Sequence, residues 1–272
     1  MKVRASFYVL QQVIKRGCAY FDTASFSLSL PQSWSELSDQ QLCFFFRQVG
    51  RDLPLEEVLT ICVCKWAHLS VLCRDSSHRI LVRQRTTKRE VWLADWQLAY
   101  ACRQLSFLGA FAEMPVRISE LRGAAAVAAD LQGVAFEDYL ALENFYQGFL
   151  HTQNLDCLCD MAHLLYPLLS YRFTLSKAEL LSVFYWFASV KMYFTKLFPN
   201  FFTAVPNGNG NLLGSPETAI GETLRQAMNA QIRALTAGDI TKEEGVLQMD
   251  CWRALTELDA KAKEAEDLRK MG

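Results

Sequence analysis

From Phe136 to Phe202 the chain carries apolar and aromatic residues at a helical period rather than a strand one, and this stretch organises everything around it. Phe136, Tyr139, Leu140, Phe145, Tyr146, Phe149 and Leu150 recur at spacings of three to five, with Glu137, Asp138, Glu143 and Asn144 between them. The pattern predicts a long amphipathic helix whose apolar run stops at Tyr166-Pro167, because proline cannot donate to the preceding turn and disfavours helix at the residue before it. Ser176 then supplies an N-cap, with Glu179 three positions on to complete a capping box. Leu180 to Val190 is apolar nearly all round, the mark of a buried helix. Lys191 and Lys196 interrupt it well short of the roughly 20 apolar residues of a membrane span, so a core helix and no membrane partner are expected.

Upstream, Ser6 to Ile14 reads as helix or strand, while Phe26-Ser27-Leu28-Ser29-Leu30 alternates as a half-buried strand does. Ser38 with Gln41 predicts a helix from about Asp39 to Val49, closed by Gly50. Pro54, Glu56 and Glu57 predict a second start, with Val58, Leu59, Cys62, Val63, Trp66 and Leu69 along one face. Arg79 to Ala94 predicts a β-hairpin, Ile80-Leu81-Val82 and Val91-Trp92-Leu93 flanking a polar turn. A further helix is expected over Trp96 to Phe111, ending near Gly109, with Met114 to Arg117 extended and Ala124 to Ala129 a bland approach to the central helices.

Asn207 to Asn211 alternates asparagine and glycine, which no helix or core strand favours. The expected organisation is a helical domain over 1–206, a flexible linker over 207–215 and a helical segment over 216–272. In that segment Ser215 with Pro216 predicts a cap, and Ala219, Leu224, Ala227, Met228, Ile232 and Leu235 form a face closed by Gly238. Thr241 with Glu244 predicts a capping box, and Asp250 a cap for a last helix whose end, Lys261 to Lys270, is charged and solvated. The fold class expected is mainly α, a multi-helix globular domain with one basic β-hairpin and a candidate N-terminal strand.

Twenty-eight basic against 29 acidic residues give a formal charge of −1, which supplies no general attraction to nucleic acid or anionic lipid. The nine cysteines are odd in number and lie in apolar contexts, and the N-terminus lacks a signal pattern, so a reducing, cytoplasmic protein is expected. Cys64 with His68 and Cys159 with His163 each share a helical face and could each give half of a zinc site; the spacing matches no zinc module, and buried core cysteines are the expectation, with no metal and no cofactor. Glu56-Glu57 and Asp138-Glu143 are read as solvated carboxylates on polar faces. No nucleophile, base and oxyanion donor come together in sequence, and no catalysis is expected.

Two stretches suit a protein partner. The hairpin places Arg79, Arg83, Arg85, Lys88 and Arg89 within eleven positions, either as solvated edge charges or as a basic finger for an acidic partner. Its turn carries no stacking aromatics, so nucleic acid is not expected. Tyr193, Phe194, Phe198, Phe201 and Phe202 are in part core and in part a candidate groove for another protein's helix.

Phe136, Tyr139 and Leu142-Glu143, then Leu165-Tyr166-Pro167, then Gly238-Asp239-Ile240-Thr241-Lys242 come in an order that resembles phage and prophage tail-module proteins of the tail assembly chaperone type. The glycine and aspartate usual in the first of these motifs, and the arginine before the proline of the second, are not present. The resemblance covers about the C-terminal half. It implies a non-catalytic role in the cytoplasm of a bacterial host: binding the helical tape measure protein, shielding its apolar stripes and bringing tail-tube protein to it. The alternative is a structural tail or neck subunit, a homo-oligomer that stays in the particle.

Overall fold

In the computed structural model, residues 4–15, 18–76, 79–110, 116–204 and 217–271 are described, with backbone alone at 4–15, 18–27, 203–204 and 217–224. The fold is mainly α and divides into two units, Met1–Phe111 and Ala112–Gly272. The Asn/Gly linker expected over 207–215, the Ser215-Pro216 cap and Met114-Pro115 lie outside the described residues.

The first unit begins with a hairpin of β1 (Arg4–Lys15) and β2 (Cys18–Ser29), antiparallel from Arg4 opposite Ser29 to Lys15 opposite Cys18. Both ambiguous N-terminal stretches are therefore strand, and Leu28 and Leu30 are buried on either side of an exposed Ser29. Helix α1 (Asp39–Val49) starts at the expected capping box: Ser38 Oγ accepts from Gln41 N, and Gln41 Oε1 accepts from Ser38 N at 3.0 Å. Helix α2 (Leu55–Trp66) buries Val58, Leu59, Cys62 and Val63. Leu69 does not continue that face. It opens β3 (Leu69–Arg74), the outer strand of a sheet ordered β3–β4–β5 with β4 at Ile80–Gln84 and β5 at Glu90–Leu93. His68, at φ 55°, turns the chain out of the helix, and its carbonyl accepts from Arg85 N at 2.9 Å, which fixes the start of β3. Helix α3 (Asp95–Gln104) and a 3-10 turn (Ser106–Gly109) follow. Trp34 meets Phe45 and Phe107 edge-on, each at 5.7 Å, and its Nε1 donates to Ala110 O, so that loop, α1 and the 3-10 turn share one core.

The second unit opens with a two-residue ladder, β6 (Glu120–Leu121) with β7 (Ala124–Ala125), in what reads in sequence as a bland approach. The long helix expected from Phe136 to Leu165 is broken in two, α4 (Phe136–Thr152) and α5 (Leu155–Leu165). Gln153 is left-handed at φ 56°, with its amide Nε2 donating to Phe149 O and Leu150 O, and Asn154 Oδ1 then accepts from Asp156 N to start the next helix. Helix α6 (Lys177–Leu197) has the expected Ser176–Glu179 box, and its buried serines are satisfied internally, Ser182 by Glu179 O and Ser189 by Trp186 O. Helices α7 (Pro199–Ala204), α8 (Glu217–Thr236), α9 (Glu243–Leu247) and α10 (Cys251–Met271) complete the unit. The expected Thr241–Glu244 box is replaced by a cap two residues earlier, where Asp239 Oδ1 accepts from Thr241 N and Thr241 Oγ1.

Helix α10 is locked to the loop before α4. Asp250 caps it as expected, accepting from Trp252 N, and its second oxygen accepts from Gly133 N. Phe136 N donates to Met249 O and Cys251 N to Val134 O, a short antiparallel bridge joining the starts of α4 and α10. Further along, Asp259 receives Phe201 N and Asn200 Nδ2, so α10 also caps the first turn of α7. Among the described residues no helix is long and apolar enough to cross a membrane.

Candidate partner-binding surfaces

The aromatic series at the end of α6 does not form an open groove. Phe194, Phe198 and Phe201 are buried, and Phe202 is half-exposed. Trp252 of α10 supplies the covering ring, 5.6 Å from Phe194, 6.0 Å from Phe198 and 6.1 Å from Tyr193. The groove anticipated for a partner's helix is filled by the chain's own last helix, a contact between distant segments that local periodicity does not register.

The hairpin forms as expected, but its charges are unequally available. Arg83 pairs with Glu90 on the neighbouring strand, and Arg79 with Asp75 while lying over the Trp92 ring. Arg85 Nε donates to Ser70 Oγ at 2.8 Å. Lys88, at φ 60°, sits in the turn with its N–H donating to Gln84 O. Arg85, Lys88 and Arg89 are exposed, so the cationic edge is narrower than the sequence run suggests.

The cysteine–histidine pairs stay apart from any shared centre. His68 has left α2, so Cys64 loses its helical partner, and His163 is engaged elsewhere. Among the described residues no group of three His, Cys, Asp or Glu side chains is placed to hold a metal ion. Burial raises the Cys62 thiol to about 12, with Cys102 adding to the rise. Glu143 is not a solvated carboxylate either. It pairs with Lys191 between α4 and α6, accepts from Gln147 Nε2 at 2.8 Å, and lies beside Tyr146, whose ring sits 4.9 Å from the Lys191 ammonium. Burial, with the Glu143 charge second, pushes the Tyr146 hydroxyl up to about 12.

The surface that stands out is the connection between α5 and α6. Tyr166 anchors it: its ring is buried edge-on against Trp186, and its hydroxyl donates to Ile118 O at 2.7 Å. Leu169 plugs into the core, and its carbonyl accepts from His163 Nδ1 at 3.2 Å. The ring of His163 also stacks on Tyr171 at 3.7 Å, and Phe173 N closes a turn to Ser170 O. This pinned backbone displays Leu168 and Tyr171, 83% and 82% exposed, and Phe173 at 49%. Three large apolar side chains on one fixed loop are an unusual expense of surface unless something covers them. A signal was present in sequence, since Leu168, Tyr171 and Phe173 follow Pro167 outside any helical period. The arrangement offers apolar contact area with Arg172 beside it.

Compared with known proteins, the chain matches no family model, no curated protein and no solved structure.

Proposed function

We propose that this chain is a non-catalytic, chaperone-like assembly protein of a phage or prophage tail module, working in the bacterial cytoplasm on the tape measure protein and helping tail-tube protein assemble around it. The observation that carries the reading is the anchored loop with Leu168, Tyr171 and Phe173 turned outward. An amphipathic tape measure helix without its tube must have its apolar stripe covered, and a small rigid apolar ridge can do this reversibly.

One of the three motifs of the resemblance, Leu165-Tyr166-Pro167, leads directly into this surface, and the Gly238-Asp239 motif makes a separate turn. Leu165 and Tyr166 are buried and Pro167 begins the displayed loop, while Gly238, at φ 81°, and Asp239 make the turn into α9. The partner site therefore shifts from the Phe194–Phe202 series to residues 168–173. Co-expression with the tape measure protein of the same tail module tests the proposal: the two chains are expected to co-purify, and L168S/Y171S is expected to abolish capture. A subunit found at fixed stoichiometry in finished particles contradicts the chaperone and supports the structural tail or neck role.

A further inference from the structure

Between the start of α1 and the end of α2 lies a cavity of about 270 Å³, lined by Ser38, Gln41, Phe44, Lys65, Trp66 and His68 among others. All of it belongs to the first unit, whereas the loop argued above belongs to the second. We infer that this cavity is a binding site for a carboxylate carried on an apolar residue, of the kind found at a peptide's C-terminus.

Four observations lead there. First, Trp66 Nε1 is buried and has no acceptor, and an indole N–H can only donate. A donor left this way costs free energy that a ligand oxygen would return. Second, Lys65 has no carboxylate partner among the described residues, and its ammonium lies 5.6 Å from the Phe44 ring. Third, the Gln41 amide oxygen is occupied by Ser38 N and Ser38 Oγ, which leaves its NH₂ end to donate. Fourth, no Asp or Glu lines the cavity. The helix ends offset one another: at α1 Ser38 Oγ already accepts from Gln41 N, and at α2 the terminal carbonyls of Val63 and Lys65 already accept from Ala67 N and His68 N, which leaves the side-chain donors to decide.

The ligand class follows from what is missing as well as what is present. One ammonium with neutral donors suits a single negative charge; a phosphate would call for an arginine fork or a nest of backbone N–H groups. Phe44 and Trp66 supply apolar wall for the body of the ligand. The volume is below the ~300–1,000 Å³ typical of drug-sized ligands, which fits one terminal residue. Because Trp66 Nε1 has no solvent exposure, admission requires a lining side chain to move; Lys65 is exposed and can change rotamer while Gln41 stays in its capping box.

The test uses the full chain with ¹⁵N-labelled tryptophan, the Trp66 indole peak being assigned by its loss in Trp66→Phe. The probes are the peptide Ala-Ala-Ala-Ala-Phe with a free C-terminus, the same peptide amidated, and N-acetyl-phenylalanine. The Trp66 indole proton is expected to move downfield with the free peptide and to stay in place with the amide. Lys65→Met is expected to raise the apparent Kd roughly tenfold or more, while the remaining peaks show an intact fold. If N-acetyl-phenylalanine binds as well as the peptide, the carboxylate comes from a small free acid; if the peptide binds more tightly, it comes from a chain terminus. No movement of the indole peak with either acid at millimolar concentration, or equal movement with the amide, overturns the site.

Discussion

Trp252 and Phe194 meet edge to face, ring centroids 5.6 Å apart and planes at 83°, although they stand on helices far apart in sequence. The same indole donates from Nε1 to Asp130 O at 2.7 Å, so one side chain joins α10, α6 and the loop before α4. Trp252→Ala is therefore expected to lower stability by about 3 kcal/mol or more. Trp252→Phe keeps most of the ring contact and loses the hydrogen bond, for about 1 kcal/mol. Urea midpoints of the two variants check the order; equal midpoints would show that the ring contact carries nothing beyond the lost hydrogen bond.

Removing a cap makes a smaller, local change. Ser176 Oγ accepts from Glu179 N, and the Glu179 carboxylate returns the bond to Ser176 N at 2.7 Å while also pairing with Arg122. Ser176→Ala should cost about 1 kcal/mol. Hydrogen exchange is expected to quicken in the first turn of α6 and not at its buried centre.

Gly238 sits at φ 81° with open space around its α-carbon, so an added methyl meets no neighbour and only the backbone conformation resists it. Gly238→Ala is expected to destabilise by about 1 kcal/mol through that strain alone. Thermal unfolding checks it, and an unchanged midpoint would mean that the turn before α9 relaxes freely.

Buried thiols set an alkaline limit. Burial lifts Cys62 and Cys251 from an ordinary 9.0 to about 12. Below pH 9 these thiols are protonated folded or unfolded and stability does not respond to them. As pH rises from 9 towards 12 the unfolded chain ionises them and the folded chain does not, so stability falls. Cys251→Ala should make that fall shallower in urea titrations. Maleimide at neutral pH should label exposed Cys73 well ahead of Cys62 and Cys251.

What could be read from sequence was what is decided within a few residues. The Ser38–Gln41 and Ser176–Glu179 boxes and the Asp250 cap are local hydrogen-bond patterns and appear where expected. The hairpin of β4 and β5 is equally local. The break at Gln153 was illegible because glutamine carries no preference for a left-handed backbone, and β3 was hidden because Leu69-Ser70-Val71-Leu72 continues the apolar texture of α2. The candidate surfaces depended on long-range packing. Nothing near Phe194 announces that Trp252 covers it, and nothing near Glu143 announces Lys191. Leu168, Tyr171 and Phe173 could be seen as an aperiodic apolar run, but only Tyr166, Leu169 and His163 together make them a fixed display.

The most direct measurement is capture of the tape measure protein by the intact chain and by L168S/Y171S, followed by mass spectrometry of purified particles. Both replaced side chains are exposed, so the variant should unfold within about 0.5 kcal/mol of the parent. The account predicts that the parent chain captures the tape measure protein, that the equally stable variant does not, and that finished particles lack this chain. Capture unaffected by the double substitution, or this chain at fixed stoichiometry in the particle, would contradict it.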